Sequence, residues 1–151
     1  MKYQNEIVIT APIGEVYPKF CNPEHLRNWQ RGLTTLEHIS GNPQKEGSRT
    51  KMVYNLNGQK MELLQTIEKI VSPNEFSVIF GSEGMDNFQN NLFSENQRGD
   101  TIWVSKNEFI PLNFKMRLFM ALFPSTFKKQ SRQYMKNFKK YMEQNISVNS
   151  Q

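Results

Sequence analysis

Apolar and polar side chains alternate at the start of the chain. Between positions 2 and 10, odd positions such as Ile7 and Ile9 are mostly apolar, while even positions such as Glu6 and Thr10 are mostly polar. Alternation of this kind is typical of a β-strand with one buried face. The pattern therefore predicts a half-buried first strand, and its two faces are Tyr3, Asn5, Ile7 and Ile9 on one side and Gln4, Glu6, Val8 and Thr10 on the other.

After this strand the apolar residues recur at helical spacing and are interrupted by prolines. Pro12 suits the start of a helix, because the N–H that proline lacks has no partner in the first turn. Pro18 and Pro23 are expected to break the segment. The sequence therefore predicts two short helices, over residues 12–21 and 23–30.

From Leu33 to Phe109 the period of the pattern changes to two. Turn-forming combinations of Gly, Pro and Asn recur along this region and divide it into about six strands of an antiparallel meander. The pair Asn57 and Gly58 predicts a tight hairpin, since both residue types tolerate positive φ.

The strand over residues 87–95 has two possible inward faces. Its odd and even positions are similar in polarity, so the pattern alone does not decide between them. The inward set is either Asn87, Gln89, Asn91 and Phe93 or Phe88, Asn90, Leu92 and Ser94.

The helical period returns after Pro111. An apolar row runs from Met116 to Phe123, and Pro124 predicts a break near Leu122 followed by a new helix of about twenty residues. The apolar row of that second helix is Phe127, Ser131, Tyr134, Met135, Phe138 and Met142.

This order of elements predicts an α+β fold. A curved antiparallel sheet of about seven strands with one apolar face needs a cover, and the long C-terminal helix is the only element large enough to provide it. A sheet that curls around one helix tends to leave a cavity between them, and such a cavity is the first candidate for a binding site. We expect one domain over residues 1–146 and a short polar tail over 147–151.

Six short motifs along the chain form a recognisable set. They are Ile7–Tyr17, Asn22–Trp29, Ile39–Gly41, Gly47–Thr50, Gly99–Thr101 and Glu108–Phe109. Together they resemble the START/polyketide cyclase-like (SRPBCC) superfamily, and the resemblance covers nearly the whole chain. It implies a helix-grip fold, in which the sheet wraps around the C-terminal helix after two short helices. It also implies a hydrophobic cavity that binds lipids, sterols, polyketides or plant metabolites in different members, and that supports cyclase or dehydratase reactions in a minority.

The concave face of the sheet and the inner face of the long helix supply candidate ligand-binding residues. The apolar ones fit a filled core as well as a cavity wall, although methionine suits a wall that adapts to apolar ligands. The polar ones need partners if they are buried, and neighbouring strands could provide them as well as a ligand. The predicted ligand-binding residues are Trp29, Met52, Tyr54, Met61, Leu63, Gln65, Trp103, Ser105, Asn107, Phe127, Ser131 and Tyr134.

Few residues are suited to acid–base or metal chemistry. His25 and His38 have no acidic residue at the spacing of a relay or a metal site, and we expect both to face solvent. Glu95 is a candidate general acid only if its strand turns the odd positions inward. Cys21 is expected to be a small buried apolar residue. We predict no catalytic residue, no metal and no cofactor, with a cyclase or dehydratase as the alternative function.

The net charge of +5 is divided unevenly along the chain. Residues between Phe109 and Met142 include eight basic and no acidic side chains, which leaves 11 basic and 14 acidic residues elsewhere. A solvated helix face explains this, and the alternative is contact between the basic helix and a protein or an anionic membrane surface. We do not expect nucleic-acid binding, because no strand face interleaves aromatic and basic residues.

Composition limits the class of protein. A chain of 151 residues with 37% hydrophobic and 12% aromatic residues is expected to fold, and its single cysteine excludes an intrachain disulfide. No apolar run resembles a signal peptide or a membrane span. We therefore expect a cytoplasmic monomer or weak dimer whose partner is a small hydrophobic or amphipathic molecule.

Overall fold

Seven antiparallel strands form one sheet in this computed structural model, which describes residues 1–150 and, for Ser150, the backbone alone. Across the sheet the strands lie in the order β1-β7-β6-β5-β4-β3-β2, so the predicted six-stranded meander is confirmed and β1 pairs with β7. The strands are β1 (Lys2–Ile9), β2 (Leu33–Ser40), β3 (Arg49–Leu56), β4 (Gln59–Val71), β5 (Glu75–Gly81), β6 (Met85–Glu95) and β7 (Thr101–Pro111).

Two short helical segments connect β1 to β2. Helix α1 (Ile13–Cys21) contains Pro18, so the prediction that Pro18 breaks the segment is wrong. The proline is exposed and removes a single N–H, while its own carbonyl still accepts a hydrogen bond from Asn22 N–H at 3.0 Å. The second segment, Pro23–Asn28, is a 3₁₀ helix and ends two residues earlier than predicted.

Two helices follow β7 and are separated at Pro124, as predicted. Helix α2 (Phe114–Leu122) begins after Asn113, whose side chain accepts a hydrogen bond from Met116 N–H at 2.8 Å. Such a cap satisfies one of the free N–H groups at a helix start. Helix α3 (Thr126–Gln144) has 19 residues and packs against the concave face of the sheet, with Met135 and Phe138 buried. The curved sheet around one long helix is the helix-grip arrangement.

The hairpin between β3 and β4 turns at Asn57 and Gly58. Both residues have positive φ, at 55° and 81°, and Leu56 pairs with Gln59. Positive φ at both central positions gives the turn the twist that matches the flanking strands. The predicted tight hairpin is confirmed.

The odd positions of β6 face inward. Asn87, Asn91 and Phe93 are buried, whereas Phe88 is 37% exposed. Glu95 belongs to the same odd set, but it is exposed at the end of the strand, so it is not the buried carboxylic acid that a general acid in the cavity would require.

A cluster of aromatic rings fills the interior at one end of the sheet. The ring of Phe20 lies at its centre, with centroids of neighbouring rings between 5.0 and 5.9 Å away. Because these neighbours come from the sheet, from α3 and from Trp29 at the end of the 3₁₀ helix, one cluster joins all layers of the fold. We call the rings of Phe20, Trp29, Phe93, Trp103 and Phe138 the aromatic cluster.

Hydrogen bonds fasten α3 to the edge strand β1. The hydroxyl of Tyr3 donates to the carbonyl of Phe127 at 3.0 Å, and Asn5 Nδ2 donates to the carbonyl of Lys128 at 3.2 Å. Farther along the helix, Lys139 Nζ donates to the carbonyl of Val8. The first strand and the C-terminal helix, which lie near opposite ends of the sequence, are therefore held together.

Beyond α3, Val148–Ser150 form a short 3₁₀ turn, and Asn149 Nδ2 donates to the carbonyl of Arg27. Gln151, the last residue of the predicted tail, lies outside the described residues. None of the helices within residues 1–150 combines the length and the apolar character needed to cross a membrane.

We predict that Phe138→Ala lowers the free energy of unfolding by about 3–5 kcal/mol, because it removes a fully buried ring from the aromatic cluster. Phe88→Ala is the matched control on the exposed face of β6, with an expected loss below about 1 kcal/mol. Urea denaturation followed by circular dichroism measures both values. Equal losses in the two variants would contradict the placement of the cluster.

Candidate functional site

A cavity of about 190 Å³ lies between the concave face of the sheet and α3. The end of the 3₁₀ segment closes one side at Trp29 and Gln30, and five strands supply the floor. The lining residues are Trp29, Gln30, Tyr54, Met61, Leu63, Phe80, Ser82, Met85, Asn87, Gln89, Trp103, Ser105, Phe109, Phe127, Gln130, Ser131, Tyr134 and Met135.

Nine of the twelve predicted ligand-binding residues belong to this lining. Most of them come from the inward faces of β3, β4 and β7 and from the apolar row of α3, which are the faces that the sequence pattern predicted. Whether they contact a ligand remains a prediction. The nine are Trp29, Tyr54, Met61, Leu63, Trp103, Ser105, Phe127, Ser131 and Tyr134.

The other three predicted residues lie outside the lining. Met52 is completely buried in the apolar core, and Asn107 is buried within hydrogen bonds to neighbouring side chains. Gln65 lines a separate cavity of about 50 Å³ beside the 3₁₀ helix. Alternation assigned all three to the correct face. It does not show which positions of that face other side chains cover and which border the cavity.

Several lining residues were not in the predicted set. Asn87 and Gln89 belong to the odd face of β6, which the sequence left undecided, while Phe109 and Met135 share the pattern of the predicted residues. Gln30 and Ser82 lie outside the regular elements, where no periodic signal exists. The remaining unpredicted members are Phe80, Met85 and Gln130.

Amide and hydroxyl side chains of β6 and β7 form a hydrogen-bonded network beside the cavity. Asn107 Oδ1 accepts hydrogen bonds from Asn87 Nδ2 at 3.2 Å and from Gln89 Nε2 at 3.3 Å. Asn107 Nδ2 donates to Ser105 Oγ at 3.0 Å. Neighbouring strands therefore supply partners for the polar side chains that the sequence placed on the inward face.

The network continues toward the aromatic cluster through Asn91. Its Nδ2 group donates to Gln89 Oε1 at 3.1 Å and to the carbonyl of Phe76 at 3.2 Å, and its Oδ1 accepts from Trp103 Nε1 at 3.0 Å. Since Asn91 is fully buried, these bonds offset the cost of removing its amide from water. The network fixes the orientation of the indole of Trp103 at the cavity wall.

Tyrosines are the ionisable groups of the lining. Tyr54 donates to Gln30 Oε1, and burial raises the pKa of both Tyr54 and Tyr134 above the ordinary value. Each hydroxyl therefore keeps its proton at neutral pH. The two tyrosines can hydrogen-bond to a ligand, but they are poorly suited to act as bases.

A third tyrosine joins the cavity wall to β1. The Tyr3 hydroxyl lies 2.5 Å from Ser131 Oγ, and Ser131 belongs to the lining. Burial raises the pKa of Tyr3 to about 12. The contact positions the inner face of α3 relative to the edge of the sheet.

The residues considered for catalysis lie elsewhere. His38 is exposed as predicted, but His25 is half-buried, with Nδ1 2.6 Å from the hydroxyl of Tyr141, so the expectation of a solvent-facing His25 is wrong. Cys21 is half-buried, and burial raises the pKa of its thiol to about 12. Within residues 1–150 no group of three or more His, Cys, Asp or Glu side chains is arranged to hold a metal ion.

Solved structures share this fold at low sequence identity. A conserved protein from Geobacillus kaustophilus is 14% identical and superposes with a TM-score of 0.78 over 95% of this chain and 96% of its own. An uncharacterised protein from Rhizobium leguminosarum, also 14% identical, gives a TM-score of 0.77 over 95% of each chain. Ara h 8.0201, again 14% identical, gives 0.73 over 94% of this chain and 97% of its own. The similarity shows the fold alone.

No protein-family model matches the chain, and a search of curated proteins finds no similar sequence.

We predict that the stability of the fold declines between pH 10 and pH 12 through the tyrosines. An unfolded tyrosine loses its proton near pH 10.0, whereas Tyr3 in the folded protein holds its proton to about pH 12. The folded state then binds more protons, so the stabilisation is complete below pH 10 and is lost as the pH rises.

Urea denaturation at pH 9 and pH 11 measures this decline. Tyr3→Phe is expected to lower the free energy of unfolding at both pH values, because it removes the contact with Ser131. It is also expected to make the loss of stability from pH 9 to pH 11 smaller than in the unsubstituted protein. An unchanged difference would show that Tyr3 titrates normally.

Proposed function

We propose that the protein binds a small, uncharged hydrophobic or amphipathic molecule in the cavity between the sheet and α3. One observation carries the proposal: eleven of the eighteen residues that line the cavity are aromatic, Leu or Met, the other seven carry an amide or hydroxyl group, and the lining formed by the described residues contains no Asp, Glu, Lys, Arg or His. Concave, mostly apolar surfaces with a small number of polar groups are typical of small-molecule sites.

The absence of ionic groups from the lining narrows the ligand class. A carboxylate or ammonium placed in the cavity would lose water without gaining an opposite charge, which is costly. The hydroxyl of Tyr134 and the amides of Gln30 and Gln89 can instead pair with a neutral carbonyl or hydroxyl. The ligand we propose is therefore neutral and carries at most a few polar groups.

The size of the cavity favours a small ligand. Sites for drug-sized molecules have volumes of roughly 300–1,000 Å³, and this cavity has about 190 Å³. Met61 and Met85 lie in the wall, and their flexible side chains can move to admit a longer ligand. A sterol or an extended lipid would require such movement.

Binding is favoured over cyclase or dehydratase chemistry. Those reactions need an acid or base in contact with the substrate. The ionisable groups of the lining are Tyr54 and Tyr134, whose pKa values are raised by burial, and Glu95 is exposed away from the cavity. We keep the enzyme as the second candidate, because a protonated tyrosine can serve as a general acid.

We further propose that residues 1–146 form one domain of the START/polyketide cyclase-like superfamily. Support comes from the motifs in the sequence together with the helix-grip fold. The short 3₁₀ turn after α3 belongs to the proposed tail, although it contacts the rest of the molecule through Asn149.

We predict that a neutral apolar probe, phenylnaphthylamine, binds in the cavity and quenches tryptophan fluorescence more strongly than its anionic analogue, anilinonaphthalene sulfonate. Both tryptophans of the chain, Trp29 and Trp103, line the cavity, so the quenching reports on the site itself. Titration of each probe gives its dissociation constant.

Met85→Trp, which fills the cavity from β6, is expected to weaken binding of the neutral probe at least tenfold. Phe88→Trp adds an indole on the exposed face of the same strand and is the matched control, with binding unchanged. Equal affinity for the two probes, or equal binding by the two variants, would reject a neutral cavity site. Native mass spectrometry of protein purified without added ligand then identifies the class of any retained molecule.

A further inference from the structure

Exposed apolar side chains are concentrated on α2 and its ends. Half of the large hydrophobic side chains that are exposed within the described residues lie between positions 112 and 123. Phe114 is 78% exposed and Leu122 is 63% exposed. Contiguous apolar surface of this kind on a folded protein marks a site of interaction.

The exposed apolar residues of α2 form a stripe along one side. Phe114, Leu118 and Leu122 follow each other at intervals of four residues, and at about 100° per residue they lie on the same side of the helix. By the same geometry Lys115 and Arg117 flank the stripe on either side, and both are exposed. We call Phe114, Leu118 and Leu122 with these two cations the α2 stripe.

The opposite side of α2 is held against the protein. Met120 is buried, and Phe119, although 39% exposed, has its ring 5.9 Å from the ring of Phe127 in α3. Because this inner side is already packed and Asn113 caps the helix start, the α2 stripe cannot turn inward without loss of these contacts. The apolar stripe is therefore a stable feature of the surface.

The surroundings of the α2 stripe are basic. Lys128 and Lys129 are exposed in the first turn of α3, and Lys60 lines the groove between α2 and the β3–β4 hairpin. The acidic residues of that groove are Glu62, whose carboxylate lies 3.4 Å from Lys51, and Glu83. Segment 110–141, which includes α2, has no acidic residue of its own.

We propose that the α2 stripe docks the protein on an anionic lipid bilayer. Apolar side chains enter the boundary between headgroups and acyl chains, and the flanking cations contact anionic headgroups, which is the arrangement of interfacial helices. Charge complementarity favours a bilayer as the partner. The stripe is apolar, cations flank it and further cations lie nearby, and an anionic bilayer combines a negative surface with an apolar interior.

Docking in this orientation brings the cavity close to the bilayer. The groove beside α2 and the cavity share Met61, Met85 and Phe127 in their walls. A ligand could then pass between lipid and cavity without crossing bulk water. The docking itself goes beyond the proposed function and does not depend on it, so its test uses protein without added ligand.

The test is flotation of the protein with vesicles of phosphatidylcholine alone and of phosphatidylcholine with phosphatidylserine. We expect clear binding to the anionic vesicles, weak binding to the neutral ones, and weakening with salt. Phe114→Ser with Leu122→Ser is expected to reduce binding at least tenfold. Lys115→Gln with Arg117→Gln is expected to reduce binding to anionic vesicles by about fivefold for each charge removed.

Matched controls lie away from α2. Phe88→Ser removes an exposed apolar side chain from β6, and Lys19→Gln with Lys45→Gln removes two exposed cations. Both should bind like the unsubstituted protein, and thermal melting should show that every variant is folded.

Two results would overturn the proposal. The first is no preference for anionic vesicles, or equal binding by the α2 variants and the controls. The second is a change of oligomeric state in the α2 variants, measured by light scattering, because a second copy of the chain would then cover the stripe. Failure of either kind leaves the probe titration of the cavity unaffected, so the two proposals are judged separately.

Discussion

Closure of the curved sheet on α3 is the constraint on which the rest of the structure depends. The aromatic cluster holds one end of this closure, since the ring of Phe20 packs against Trp29 after the 3₁₀ helix and against rings from β5, β6, β7 and α3. Hydrogen bonds from β1 to the first turns of α3 hold the other end. The α3 residues that line the cavity, from Phe127 to Met135, lie in the part of the helix between these two attachments. The site is thus a consequence of how the fold is closed: the sheet and α3 form most of its wall, and Trp29 and Gln30 close one side.

The cavity combines an apolar surface with polar groups whose hydrogen bonds are largely satisfied within the protein. Asn107 and Asn91 are bonded to their neighbours, so they stabilise the wall and orient Gln89 and Trp103. Buried amides left without partners would be costly. The groups free to recognise a ligand are then fewer than the polar lining suggests, which is consistent with a site that selects by shape and neutrality more than by specific hydrogen bonds.

Some basic residues of the C-terminal region form hydrogen bonds within the protein, and others are exposed to solvent. Lys139 bonds to the carbonyl of Val8 and to Glu143, so part of the charge fastens α3 to the sheet. Lys128 and Lys129 are exposed beside α2. The groove beside α2 and the cavity share Met61, Met85 and Phe127, so the two surfaces for which we propose functions adjoin each other.

Local patterns in the sequence were enough to predict the helices and strands, their order and most of the inward faces. Alternation, turn residues and prolines are local signals, and they sufficed for the seven strands, the Asn57–Gly58 hairpin and the break between α2 and α3. Local signals failed at Pro18, where a helix tolerated one missing N–H, and at β6, where both faces are similar in polarity. Which of the inward residues border the cavity depends on long-range packing, about which local patterns carry no information. Met52 and Tyr54 share a face of β3, yet Met52 is covered by the core and Tyr54 lines the cavity. The difference arises because other parts of the chain pack over one position of the strand and leave the other open to the cavity.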